Sequence, residues 1–119
     1  MTDDESFGDA PAPKAPSKRV ASTEFGQGRM HLPIVYRLRL NKPGEGLRGE
    51  RTPTGFDVFI PGRKTMESGT AISRRDDRIA KVVTRNGTEG ARVSFRFRGP
   101  IPAYKVRLRK DFVEFFISS

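Results

Sequence analysis

The sequence predicts an all-β domain: a small β-sandwich of two related sheets, about six or seven short strands, behind a disordered amino-terminal leader. Three observations carry this. Apolar residues recur at every second position through most of residues 31–119, Gly and Pro punctuate the runs, and no stretch keeps a helical period beyond two turns. A half-buried strand has that two-residue period, because successive side chains leave the backbone on opposite sides.

Residues 1–30 read as a flexible Pro/Ala-rich linker. "DAPAPKAPSKRVAST" has neither a strand nor a helix period and too little apolar surface to offset the entropy of ordering it. Phe7, Val20 and Phe25 stand isolated there, each a candidate to dock as a short added strand. Residues 31–119 form the domain. In "PIVYRLRL" the residues Ile34, Tyr36, Leu38 and Leu40 share a face opposite Arg37 and Arg39. "NKPGEG" supplies turn chemistry. "GFDVFI" then turns Phe56, Val58 and Ile60 inward and Asp57 and Phe59 outward, and Pro61-Gly62 stops it. The middle segment, 61–77, has weak periodicity and reads equally as loop, short helical turn or poor strand.

Two β-prone runs follow, joined across Asn86-Gly87, a pair favoured in tight hairpin turns with left-handed backbone. The second run faces Ala91, Val93, Phe95 and Phe97 inward. "AYKVRLRK" repeats the pattern with Tyr104, Val106 and Leu108, and "FVEFFI" ends the chain as a largely buried strand. Residues 36–60 and 93–117 share one order: an Arg-alternating strand, a Pro/Gly break, a basic stretch, then an aromatic-rich strand holding one acid. Two such halves can pack as two sheets, each covering the apolar face that the other cannot bury alone.

Charge narrows the function. The chain holds 23 Lys and Arg against 14 Asp and Glu, and residues 1–30 contain only four of those bases and five of the acids. The excess therefore sits on the domain, whose field attracts polyanions: nucleic acid, acidic lipid surfaces or anionic glycans. Without cysteine there is no disulfide framework and no thiolate metal site. No apolar run approaches the roughly 20 residues of a membrane-spanning helix.

Catalysis is poorly provided for, and the expectation is a protein that is not an enzyme and uses no cofactor. His31 is the one histidine, at the entrance to the first strand. Adjacent Asp76 and Asp77 project apart in an extended chain and sit among Arg74, Arg75 and Arg78, which points to solvated ion pairing in a loop. "GEGLRG", 44–49, fits G-x-G-x-x-G. Pro53 and Gly55 would end any helix after it within a turn, so a glycine-rich turn is expected in place of a nucleotide loop.

The remaining signal is an arginine ladder. On neighbouring antiparallel strands Arg92, Arg96, Arg98 and Lys105, Arg107, Arg109 would point to the same side, about 5–8 Å apart. Arg37 and Arg39 would be their counterpart on the other half. Guanidinium forks suit carboxylate and phosphate, so this face is the expected ligand-binding site. The competing reading is a solvated strand face balanced by Glu89, Asp111 and Glu114.

"GFDVFIPGRK" followed by "DDRIAKVVTRNGTEGARVSFRFRGPIPAYKVRLRKDFVEFFIS" resembles the AMIN domain, a module beside bacterial cell-wall amidases and in type IV pilus secretins. The matching pieces are Asp57 to Gly62, Arg78 to Val83, Arg92 to Phe97, Gly99-Pro100, Tyr104 and Val106, within a likeness running from Tyr36 to Ile117. The arginine richness departs from the family's pattern. The resemblance implies a β-sandwich of two related sheets and a non-catalytic role, binding peptidoglycan or another anionic envelope polymer and so localising an attached or partner envelope protein. The expected compartment is the periplasm or cell envelope for an excised domain or a chain whose leader was removed, and the cytoplasm if Met1 is the native start. Two alternatives stay open: a nucleic-acid-binding β-domain in the cytosol, and an adaptor that pairs an exposed edge strand with a partner protein.

Overall fold

The computed structural model describes residues 22–119, so the expected leader over 1–21 lies outside the described residues. Two four-stranded antiparallel sheets face each other. One has the order β1-β7-β8-β2, from β1 (Glu24–Gln27), β2 (Ile34–Arg39), β7 (Tyr104–Arg109) and β8 (Phe112–Ile117). The other has the order β3-β4-β6-β5, from β3 (Arg48–Thr52), β4 (Gly55–Pro61), β5 (Ile79–Asn86) and β6 (Gly90–Phe97). A short helix, α1 (Thr70–Arg75), occupies part of the ambiguous middle segment and sends Ile72 into the core.

The alternation read from the sequence is the alternation of burial except at Ile34, which opens β2 exposed to water. Tyr36, Leu38, Phe56, Val58, Ile60, Val93, Phe95, Phe97, Tyr104 and Val106 are buried, with Leu108 packed at the margin. At the centre the Phe56 ring stacks on Tyr104 at 4.1 Å and on Phe95 at 4.9 Å, and Phe95 meets Phe115 at 4.6 Å. Residues from both sheets thus share one aromatic layer.

Eight strands form among the described residues, and the two that no alternation marks, β1 and β3, are edge strands with one face and one flank in water. The linker expected over 1–30 is corrected at its far end, because Glu24–Gln27 pairs with β7 and Phe25 packs on Phe56 and Tyr104. The left-handed turn expected at Asn86-Gly87 is also corrected. Asn86 ends β5 with an ordinary φ, and a loop over 87–89 makes the connection. Its side-chain amide is engaged elsewhere: Oδ1 accepts from the Thr65 N–H at 2.9 Å and Nδ2 donates to the Thr65 carbonyl at 3.0 Å. That pair ties the β4–β5 connection down.

The two halves are related by a constant offset of 57 residues, which carries Tyr36 to Val93 and Ile60 to Ile117. Every β2/β8 pair, from Ile34 with Ile117 to Arg39 with Phe112, maps onto a β6/β4 pair, from Ala91 with Ile60 to Arg96 with Gly55. The β3/β4 pairs map likewise onto β7/β8. The Arg-alternating strand of each half therefore joins the hairpin of the other half. Each sheet is built from both.

Candidate functional site

The exchange places β6 and β7 in different sheets, which corrects the expected ladder. Arg92 and Arg96 belong to one sheet, with Arg98 just past the end of β6, Lys105, Arg107 and Arg109 belong to the other, and Arg37 and Arg39 lie beside the second group, two strands from β7. No single wetted surface holds them all.

On the β1-β7-β8-β2 sheet the bases surround an acid. Glu114 is 2% exposed, and its Oε2 and Oε1 accept hydrogen bonds from Arg37 Nε at 2.7 Å and Arg107 Nε at 2.8 Å. Burial pushes the Glu114 carboxyl up, but the bonds and charges of Arg107 and Arg37 outweigh it and hold the group below the ordinary carboxylate range. Arg39 pairs with Asp111 at 3.0 Å and Lys105 with Glu24 at 3.7 Å. The Arg107 guanidinium also lies 4.9 Å from the Phe116 ring centre. Most of this face is neutralised, Arg109 being the exception among the described residues.

On the other sheet Arg96 bonds Asp57 at 2.9 Å, and Arg98 is spent on backbone, donating to the Asp77 carbonyl at 2.7 Å and to that of Ile79 at 3.2 Å. Asp76, expected as a solvated partner, is buried and holds Arg78 through both carboxylate oxygens at 3.0 and 2.8 Å. Those bonds from Arg78 hold Asp76 below the usual range against the opposing effect of burial. Arg78 in turn donates to the Ser118 carbonyl at 2.7 Å, locking the carboxyl-terminal strand to the β5 edge. His31 is exposed, and its backbone N–H and C=O bond the Ser118 side chain.

What the register brings together is a different set. Arg48 of β3, Phe59 of β4, Arg92 of β6 and Arg85 of β5 occupy one row across the outer face of this sheet. The guanidiniums of Arg48 and Arg92 stand 5.1 and 5.6 Å from the Phe59 ring centre, reaching it from the two flanking strands. None of the three arginines has an ion pair among the described residues. The ring lies between two like charges, and Glu50, Asp57 and Glu89 line the same surface depression as Arg48 and Arg92. Phe59 was legible as an outward residue. Arg48 was hidden in the glycine-rich turn and Arg85 in a strand without clean alternation, and only strand pairing aligns them with Arg92.

Among the described residues no three or more of His, Asp and Glu gather into a metal-binding group, and no helix is long and apolar enough to cross a membrane. Against family models, curated proteins and solved structures the chain finds no match, and its resemblance to the AMIN domain rests on the sequence pieces that carry it.

Proposed function

We propose that the chain is a non-catalytic binding module of the cell envelope. It holds peptidoglycan, or another anionic envelope polymer, on the outer face of the β3-β4-β6-β5 sheet and so brings an attached or partner protein to the wall. The supporting observation is the row Arg48, Phe59, Arg92 and Arg85, in which three cations lack acidic partners among the described residues. Neighbouring strands lie about 4.8 Å apart, so the row spans roughly 14 Å. That reach suits a polymer bearing carboxylates at intervals better than one small anion. The AMIN-like motifs supply the choice of polymer. Each contact at a screened surface is worth at most about 1 kcal/mol, so binding comes from several contacts together.

A nucleic-acid platform would use a bare aromatic face for base stacking. Phe59 has guanidiniums on it from both neighbouring strands, and Phe116 has Arg107 beside it. The deciding experiment is retention on purified peptidoglycan sacculi and on single-stranded DNA across a salt series, with the full chain and an Arg48→Ser, Arg92→Ser double variant. Sacculus binding by the full chain and its loss in the variant is expected. Retention by DNA with a steep salt slope, and none by sacculi, would overturn the proposal.

A further inference from the structure

The described residues contain two buried side-chain hydrogen-bonding atoms without a partner, the Thr52 hydroxyl and the Tyr104 phenol. Both residues line one cleft of about 460 Å³, within the ordinary size range of small-molecule sites, at the end of the sandwich where β1, the β3–β4 turn and the segment before β7 meet. Most buried polar groups in folded proteins find a partner, so two orphan hydroxyls, each closed off just behind the wall of one cleft and carried by a residue that lines it, are a chemical signature. Arg51 stands in the same lining. One of its Nη atoms donates to Gln27 Oε1 at 2.7 Å, and no carboxylate among the described residues pairs with it. Ile101 and Pro102 give the mouth apolar walls, Ile101 being 36% exposed.

We infer that this cleft is a binding site for a small carboxylate carrying a short apolar group, such as the free carboxyl end of a peptide. The Arg51 guanidinium meets the carboxylate charge, the Thr52 and Tyr104 hydroxyls supply donors, and Ile101 and Pro102 cover the apolar part. Burial pushes the Tyr104 phenol up, so it remains a protonated donor at neutral pH. The site is independent of the basic row and of the envelope reading, since it lies at the end of the sandwich and uses none of those residues.

A hydroxyl kept buried and unpaired costs stability until a ligand satisfies it. That gives a test with two readouts on the full chain, using N-acetyl-alanine as probe and N-acetyl-alaninamide as its uncharged control. In ¹H–¹⁵N NMR titration the acid should give saturable shifts at the amides of Arg51, Thr52 and Tyr104, with Kd of about 1 mM for a ligand of this size. The amide should give none. Arg51→Gln should weaken binding about tenfold. Tyr104→Phe, which keeps the stacked ring, should weaken binding several-fold and raise the melting temperature of the free protein. Equal binding of acid and amide, Arg51→Gln without effect, or no saturable shift up to about ten times that Kd would each overturn the assignment.

Discussion

Glu114 and Arg92 carry opposite lessons about single side chains. Glu114 is closed off from water between two arginines, so Glu114→Gln keeps one oxygen to accept from one of them, turns an amide NH2 donor towards the other, and leaves the two cations without the charge between them. The expected loss is about 2 kcal/mol, read from urea unfolding. Arg92→Ser, by contrast, should change stability by less than about 0.5 kcal/mol, because its guanidinium lies on a ring at the surface. Acid tests the same residues. Glu114 and Asp76 both have folded-state pKa values below their unfolded ones, so their stabilisation is fully present above the unfolded value of about 4 and is lost as pH falls through the folded values. The melting temperature should hold from pH 7 to about 5 and drop below about 4, and a Glu114→Gln, Asp76→Asn double variant should drop less. An equal drop would remove these carboxylates as its cause. At this scale the side of the sheet was legible in the sequence for Asp57, Phe59 and Arg92. The partner was not, since Arg37 and Glu114 lie 77 positions apart and only folding makes them neighbours.

Among the elements, β1 shows how a strand can form where no period announces it. Gly26 lets the β1 backbone approach the Tyr104 carbonyl, and the Phe25 ring occupies the space a side chain at Gly49 would need. A Cβ there would collide with the ring, so Gly49→Ala should displace Phe25 and release β1, at about 1–3 kcal/mol. Hydrogen exchange would report it as lost protection at Phe25 and Gln27, with the β4 and β6 amides still protected. Unchanged protection at β1 would refute this use of the glycine. Strands β2, β4, β6, β7 and β8 were legible because one face of each meets the core. Edge strand β3 was not, and β1 was so only through Phe25, one of three isolated residues named as candidates for an added strand, since docking by one aromatic side chain, or by a glycine beneath it, leaves no repeating pattern. Helix α1 stayed one of three open readings for a related reason: six residues with one buried side chain give no helical period.

Over the whole molecule the governing fact is that each sheet draws strands from both halves. Neither sheet can form without the other half, so urea unfolding followed by backbone and by aromatic signals should give coincident curves. Separate transitions would mean that one sheet survives alone. The similarity of the halves was legible as a repeated order of strands, whereas the exchange between them was not. A pattern of apolar positions states which face is buried and leaves open which neighbour pairs with it. The misplaced ladder follows from that gap, since β6 and β7 are consecutive in sequence but cross between sheets.

The 57-residue offset has a further consequence for assembly. A polypeptide holding only one half would have a strand to give and a vacancy to fill, and two identical copies could satisfy each other across a two-fold axis. Joined in tandem, the halves find each other within one chain, so folding becomes indifferent to dilution. Symmetry no longer binds their outer surfaces either: Glu114 sits between Arg37 and Arg107, while the corresponding acid, Asp57, sits between Ser94 and Glu50.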